Sequence, residues 1–404
     1  MQPAGLPRAA RTRRLEPTAV NSILAEVRQL RREGRSLVSL MRGEPDFSTP
    51  AHIVEAASRA LREGRTSYPD NRGEPALREA VAEKLLRENG VVYDSGTEIL
   101  ITSGATFGIY AALTATLNEG EEVMLPDPIY DAYVSAIRLA GGRVRPVRSR
   151  IEAGRFRLGV EALEAAWTPA CRLFLLNTPW NPTGTVFSRE ELAAIAEFVE
   201  RRNLLLVSDE IYEAITYDGR THVSPASLGE PVRARTIVVN SFSKTYAMTG
   251  WRVGYCAAPR EAIDAMFLVL QQSSRGPATF AQDAAAAALR GPQQCVLEMR
   301  AEYEQRRALV ADRLQGTAGA AVLLPEGGFF AMVDVGALGA PSEEIRRRLL
   351  HEHGVVVVHG SAYGAAGEGT LRVSFASGGE NLALGLERLH KGLTAGRSRA
   401  GSSE

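Results

Sequence analysis

The chain has no excess of either charge: 47 lysines and arginines balance 47 aspartates and glutamates. That balance removes the electrostatic reason to expect nucleic acid or an anionic membrane as a partner. Cysteine is nearly absent too. Cys171, Cys256 and Cys295 lie far apart, form no CxxC pair and are odd in number, so neither a disulfide framework nor a zinc site is indicated, and a reducing, cytoplasmic setting fits. No apolar run approaches the ~18 residues of a membrane span. No internal repeat or low-complexity block is seen. The first 14 residues carry Arg8, Arg11, Arg13 and Arg14 but lack the apolar core of a secretory signal, and read as a flexible basic tail. The stretch from Gly392 to Glu404, rich in Gly, Ser and Ala, reads as a second, frayed tail.

What is present is ordinary for a globular protein: 404 residues, 45% of them hydrophobic, enough for a sizeable core and two to three domains. Residues 18–33 put Ile23, Leu24, Val27 and Leu30 on one helical face, and 75–89 do the same with Leu77, Val81, Leu85 and Leu86. Between them lie a short apolar strand, 37–41, and the loop Gly43–Phe47. From about 97 to 290, short apolar runs alternate with amphipathic segments. The runs are 98–102, 122–125, 143–147, 172–176, 204–208, 236–240 and 253–257, a pattern that predicts an α/β domain built on a seven-stranded, mostly parallel sheet. A long helix over 293–315, strands near 329–335, 355–358 and 371–375, and a final helix predict a smaller α+β domain.

Ligands of such sheets bind at the carboxyl ends of the strands, and there the unusual residues cluster. Ser103-Gly104-Ala105-Thr106 opens a helix after the first run; small residues there suit an anion as well as they suit an ordinary cap. Asn177 to Gly184, with prolines on either side of Asn181, is either a plain turn or a rigid loop that aims the Asn181 side chain. Asp209 ends an apolar run, where it either caps a helix or needs a cationic or N–H partner. Lys244 stands in a loop dense in Ser and Gly, poorly explained as a solvated surface charge. A lysine amine makes imines with carbonyls once desolvation or nearby cations lower its pKa. Arg252 follows eight residues later and is suited to clamp a phosphate. Arg372, inside the run Leu371–Phe375, needs an anion, either a structural acid or a substrate carboxylate.

The string Ser241-x-Ser-Lys244-x5-Gly250-x-Arg252-x-Gly254 resembles the pyridoxal-phosphate (PLP) attachment signature of class I aminotransferases, the aspartate aminotransferase superfamily of fold type I. Gly43-Glu-Pro-Asp-Phe47 with Pro50, Tyr68-x4-Gly73-x3-Leu77-Arg78, Asn181-Pro-Thr-Gly184, Asp209-x2-Tyr212 and Gly360-Ser-x-Tyr-Gly364 followed by Arg372 resemble further blocks of that family, in the same order. The resemblance covers roughly residues 15–392. It implies a PLP enzyme that moves amino groups between L-amino acids and 2-oxo acids, with other PLP chemistry on the same scaffold (elimination, replacement, carbon–carbon bond formation) as the alternative. An aminotransferase-like ligand sensor in a transcription regulator is disfavoured: only about 45 residues precede the Gly43 loop, and the chain has no net positive charge.

The resemblance also implies roles. Lys244 bonds the cofactor and later moves a proton. Asp209 pairs with the ring nitrogen. Asn181 and Tyr212 hold the ring hydroxyl, and Tyr130 stacks on the ring, at a position where some relatives carry Trp. Gly104, Ala105 and Thr106, with Ser241 and Arg252, hold the phosphate. Tyr68 reaches the phosphate of a partner subunit, so a homodimer is expected. Arg372 binds the substrate α-carboxylate through its planar fork, beside Gly43. Arg42, which directly precedes Gly43, and Arg275 are candidates for reading an acidic substrate side chain; the alternative for Arg42 is a surface pair with Glu44 or Asp46. The division expected on these grounds is a tail (1–14), an N-terminal arm with part of the small domain (15–50), a large PLP-binding domain (51–292), a small C-terminal domain (293–391) and a tail (392–404).

Overall fold

The computed structural model describes residues 9–13 and 15–400, with side chains to 395. Most of the expected basic tail lies outside these residues; Ala10–Arg13 forms a single helical turn.

All seven apolar runs become strands of one sheet: β1 (Ile99–Thr102), β2 (Glu122–Asp127), β3 (Arg143–Arg148), β4 (Cys171–Asn177), β5 (Leu205–Asp209), β6 (Thr236–Ser241) and β7 (Gly254–Ala257). Their spatial order is β1-β7-β6-β5-β4-β2-β3, with only β7 antiparallel to its neighbours. Every residue of β1, β6 and β7 is buried, because helices cover both faces of the sheet. This explains why these strands read as largely apolar runs rather than alternating ones; the edge strand β3, in which only Val147 is buried, alternates with arginines instead.

The smaller sheet is antiparallel, in the order β8-β9-β11-β10, formed by β8 (Ala321–Leu323), β9 (Phe330–Asp334), β10 (Val358–His359) and β11 (Thr370–Ser374). Beside it, Val38 and Ser39 pair in parallel with Val355 and Val356. The N-terminal arm is thereby stitched to the C-terminal layer, and Leu40 joins the same core as Val373 and Leu386.

Helix α1 (Ala19–Arg32) is capped by Thr18, whose side chain accepts the Asn21 N–H. Ile23 and Val27 are buried, but Leu24 is exposed on the single chain. The 75–89 helix relaxes at Leu85–Asn89 into a wider π turn. The wider turn breaks the 3.6-residue repeat, so Leu86 is exposed where the periodicity predicted it inward. The final helix runs through Gly392 to Ala400 with Leu393 fully buried. Gly392 lets the helix pack closely there, where a Cβ would lie 2.4 Å from Leu349 Cδ2.

Candidate active site

The strand ends β4, β5 and β6, helix α2 (Ala105–Thr116), the N-terminal arm and β11 converge on one cavity of about 1090 Å³. Lys244, Asp209, Arg252 and Arg372 all line it, with Asn181, Tyr130 and Tyr212.

Asp209 ends β5 and is only 4% exposed. One carboxylate oxygen accepts the Ile211 N–H at 3.2 Å; the other accepts the hydroxyl of Tyr133, on helix α3 (Ala132–Leu139). Burial pushes its pKa up to about 6, against those two bonds and the nearby Lys244 charge. Asn177, opposite Asp209 in the β4–β5 register, donates to the Asp209 carbonyl at 2.9 Å and accepts the Asn181 N–H at 2.7 Å. One buried amide thus ties the Asn181 loop to the end of β5.

Lys244 lies in the short helix α4 (Phe242–Thr245), one turn beyond β6. Its ammonium donates to the Gly43 carbonyl at 2.5 Å. Its pKa is lowered to about 8, by burial first and also by the charges of Arg252 and Arg372, while Glu44 and Asp209 oppose the shift.

A cradle for an anion forms where α2 begins. Gly104 has φ +81°, and a Cβ there would lie 2.4 Å from Arg252 Nη2. A Cβ on Gly254 would lie 2.8 Å from the Ala105 nitrogen. Glycine at both positions lets the helix N-terminus, Arg252 and β7 meet. The Arg252 guanidinium donates only to the carbonyls of Thr249 (3.0 Å) and Ser103 (3.5 Å). Among the described residues it makes no acid pair, so a cation and a helix N-terminus both face the cavity without an anion.

Arg372 is 4% exposed and likewise has no acid partner among the described residues. It makes long contacts of 3.4 Å to Asn181 Oδ1 and 3.3 Å to the Met41 carbonyl, and its Nε has no partner. Its guanidinium lies over the Phe330 ring at 4.1 Å and the Tyr363 ring at 4.9 Å. Rings can hold a cation flat without neutralising it.

Four of the anticipated residues stand apart from this arrangement. Ser241 sits one step behind the cavity, donating to the Val253 carbonyl and accepting the Ser243 N–H, while Ser243 lines the cavity instead. Arg42 is at the rim, 43% exposed, and pairs with Glu44 at 3.3 Å. Tyr68 is 87% exposed on the single chain, with the Arg275 guanidinium 5.9 Å from its ring, and neither lines the cavity of its own chain. Conversely, Tyr133, Asn177, Ser243 and the Phe330–Tyr363 platform were not picked out as site residues. The available signal for Tyr133 was its place three residues after Tyr130, where the turn enters an amphipathic helix.

Known proteins resemble this chain over most of its length. Residues 35–389 match the family model for aminotransferase class I and II. The chain is 44% identical over 357 residues to aromatic-amino-acid aminotransferase 2 of Thermococcus litoralis, covering 88% of this chain and 91% of that one. It is 37% identical over 392 residues to the aspartate aminotransferase of Geobacillus stearothermophilus, covering 96% and 99%. The crystal structure of the Rhizobium meliloti aspartate aminotransferase superposes with a TM-score of 0.93 at 35% identity, covering 96% and 99% of the two chains. The chain therefore belongs to the class I and II aminotransferases, fold type I enzymes that use PLP to move an amino group between an amino acid and a 2-oxo acid.

Proposed function

We propose that transamination takes place in the cavity at the strand ends, with Lys244 as the residue that bonds the cofactor. The observation that carries this reading is the convergence of Lys244 with Asp209, Arg252 and Arg372, a carboxylate and two guanidiniums that make no salt bridge among the described residues. Bound PLP supplies an electron sink for the bonds at the substrate α-carbon. The chain supplies the rest. Asp209 holds the ring nitrogen in its charged form, Asn181 and Tyr212 hold the ring hydroxyl, and Tyr130 covers a ring face. The amides of Gly104, Ala105 and Thr106, with Arg252 and Ser243, hold the phosphate, and Ser241 backs Ser243 from behind the cavity at 2.8 Å. Arg372 orients the substrate by its α-carboxylate. With a pKa near 8, the Lys244 amine is in part neutral at physiological pH and able to take and return a proton.

The same reading divides the chain into a large cofactor-binding domain (51–292) and a small domain (15–50 with 293–391), the cavity lying where they meet. It includes a homodimer: an 87% exposed tyrosine beside an arginine, Tyr68 with Arg275, suits a surface that completes a partner's site. It also includes a cytoplasmic location, which three free cysteines suit. Aromatic amino acids and aspartate, the substrates for which its relatives are named, are the first donors to screen.

Borohydride reduction followed by peptide mass spectrometry tests the assignment. The label is expected on the peptide carrying Lys244, and Lys244→Ala is expected to lose both the label and essentially all turnover. A Lys244→Ala enzyme with wild-type turnover would overturn it.

A further inference from the structure

We propose that Tyr133 is a positioning residue for Asp209: its hydroxyl aims the carboxylate into the cavity and, by donating to it, favours the charged form. The inference rests on the reading of Asp209 as the partner of the cofactor's ring nitrogen.

Asp209 is enclosed at the end of β5, and burial works against its charge. Among the described residues only two donors reach its carboxylate. One is the Ile211 N–H, which belongs to the turn itself; the other is the Tyr133 hydroxyl, the sole side-chain donor. The remaining titratable groups around Asp209 divide. Glu210, next along the chain, opposes the charge and Lys244 favours it; the hydroxyls of Tyr130 and Tyr212 and the thiol of Cys256 on β7 are neutral neighbours.

Tyr133 is itself only 3% exposed, so its hydroxyl has Asp209 to donate to and scarcely any water. The ring is fixed on two sides. Its backbone N–H bonds to the Tyr130 carbonyl at 3.2 Å, and the two rings meet edge to face at 5.4 Å and 88°. A single turn leading into α3 therefore presents the Tyr130 ring to the cavity and the Tyr133 hydroxyl to Asp209. Displacing Tyr133 loosens two groups that face the same ligand.

The competing description is that Tyr133 only fills the core beside Ile137 and Leu125. Tyr133→Phe separates the two, since it keeps the ring and removes the hydroxyl. The dissociation constant for PLP is measured by equilibrium dialysis for wild type, Tyr133→Phe, Asp209→Asn and the double variant. Tyr133→Phe is expected to weaken binding by about tenfold in the wild-type background and by less than about threefold beside Asp209→Asn, because a residue acting through Asp209 has little left to act on. In the cofactor-free protein, carbon-13 titration of the Asp209 carboxyl should show its midpoint about one pH unit higher in Tyr133→Phe; this readout is independent of turnover. Equal losses in both backgrounds, or an unmoved midpoint, would overturn the inference. Asp209→Asn with weakened binding beside an unaffected Tyr133→Phe would also overturn it, while leaving the reading of Asp209 intact. Wild-type binding in Asp209→Asn would overturn both.

Discussion

Arg372 is the residue for which activity and stability should move in opposite directions. Its guanidinium is buried without an acid partner and held by two long hydrogen bonds and two aromatic faces. Burying an ion costs several kcal/mol. The rings return about 2 kcal/mol and the two bonds about 1 kcal/mol each at most, so the cation contributes close to nothing to the cofactor-free fold. Arg372→Met fills similar volume without a charge. In urea melts of the cofactor-free protein it is expected to lie within about 1 kcal/mol of wild type or above it, as replacement of unneutralised buried charges by apolar side chains generally does. Turnover should behave oppositely. Arg372→Lys keeps the charge but loses the planar fork. Loss of one buried charged pair costs ~2–5 kcal/mol, and 1.36 kcal/mol is a factor of ten. kcat/KM should therefore fall by roughly 30-fold or more for every donor, whatever its side chain. A drop confined to acidic donors would move Arg372 to the side-chain pocket. A loss of about 3–5 kcal/mol in the Arg372→Met melt, the signature of a broken internal ion pair, would show that the guanidinium already has its anion within the fold.

Asp209→Asn tests the buried charge by pH. The folded pKa of about 6 lies above the ordinary 3.8, so the protonated carboxyl favours the fold below about pH 4 and that contribution is lost as pH rises through 6. The cofactor-free Asp209→Asn protein should be the more stable of the two above pH 6, with the gap closing below about pH 4 in parallel urea titrations; a gap independent of pH would refute the assignment. For Tyr68, mixing inactive Lys244→Ala subunits with an inactive Tyr68 variant should restore part of the activity through hybrid dimers, and a fully active monomer in sedimentation would contradict the shared site. Arg42→Ala should change the ratio of kcat/KM for acidic over neutral donors by no more than about fivefold, because the half-exposed pair with Glu44 is worth ~0–1 kcal/mol; a larger fall would mean that Arg42 turns inward when substrate binds.

The large sheet was legible because all its strands but the edge strand β3 are largely buried. Such strands must be apolar throughout, and Leu173–Leu176 or Val238–Val239 cannot be mistaken for a half-exposed pattern. The charged positions at the strand ends were legible for the complementary reason: Asp209 and Arg372 contradict the apolar runs around them, Lys244 follows such a run directly in a loop of small residues, and a buried charge demands a partner. What could not be read were features that depend on three-dimensional register. Tyr133 looks like any aromatic on an amphipathic helix, and only the approach of α3 to the end of β5 gives its hydroxyl a carboxylate. Ser241 and Ser243 sit in one motif, yet the turn from β6 into α4 spends the first hydroxyl on the Val253 carbonyl and leaves the second at the cavity. Leu86 failed for a local reason, a π turn that leaves no mark in the hydrophobic period. The position of Arg42 could not be read because Glu44, two residues on, competes for it at the surface, and a near-zero energy difference decides between the two orientations. Sequence therefore specified the groups whose burial is costly, and was silent about those whose placement costs almost nothing either way.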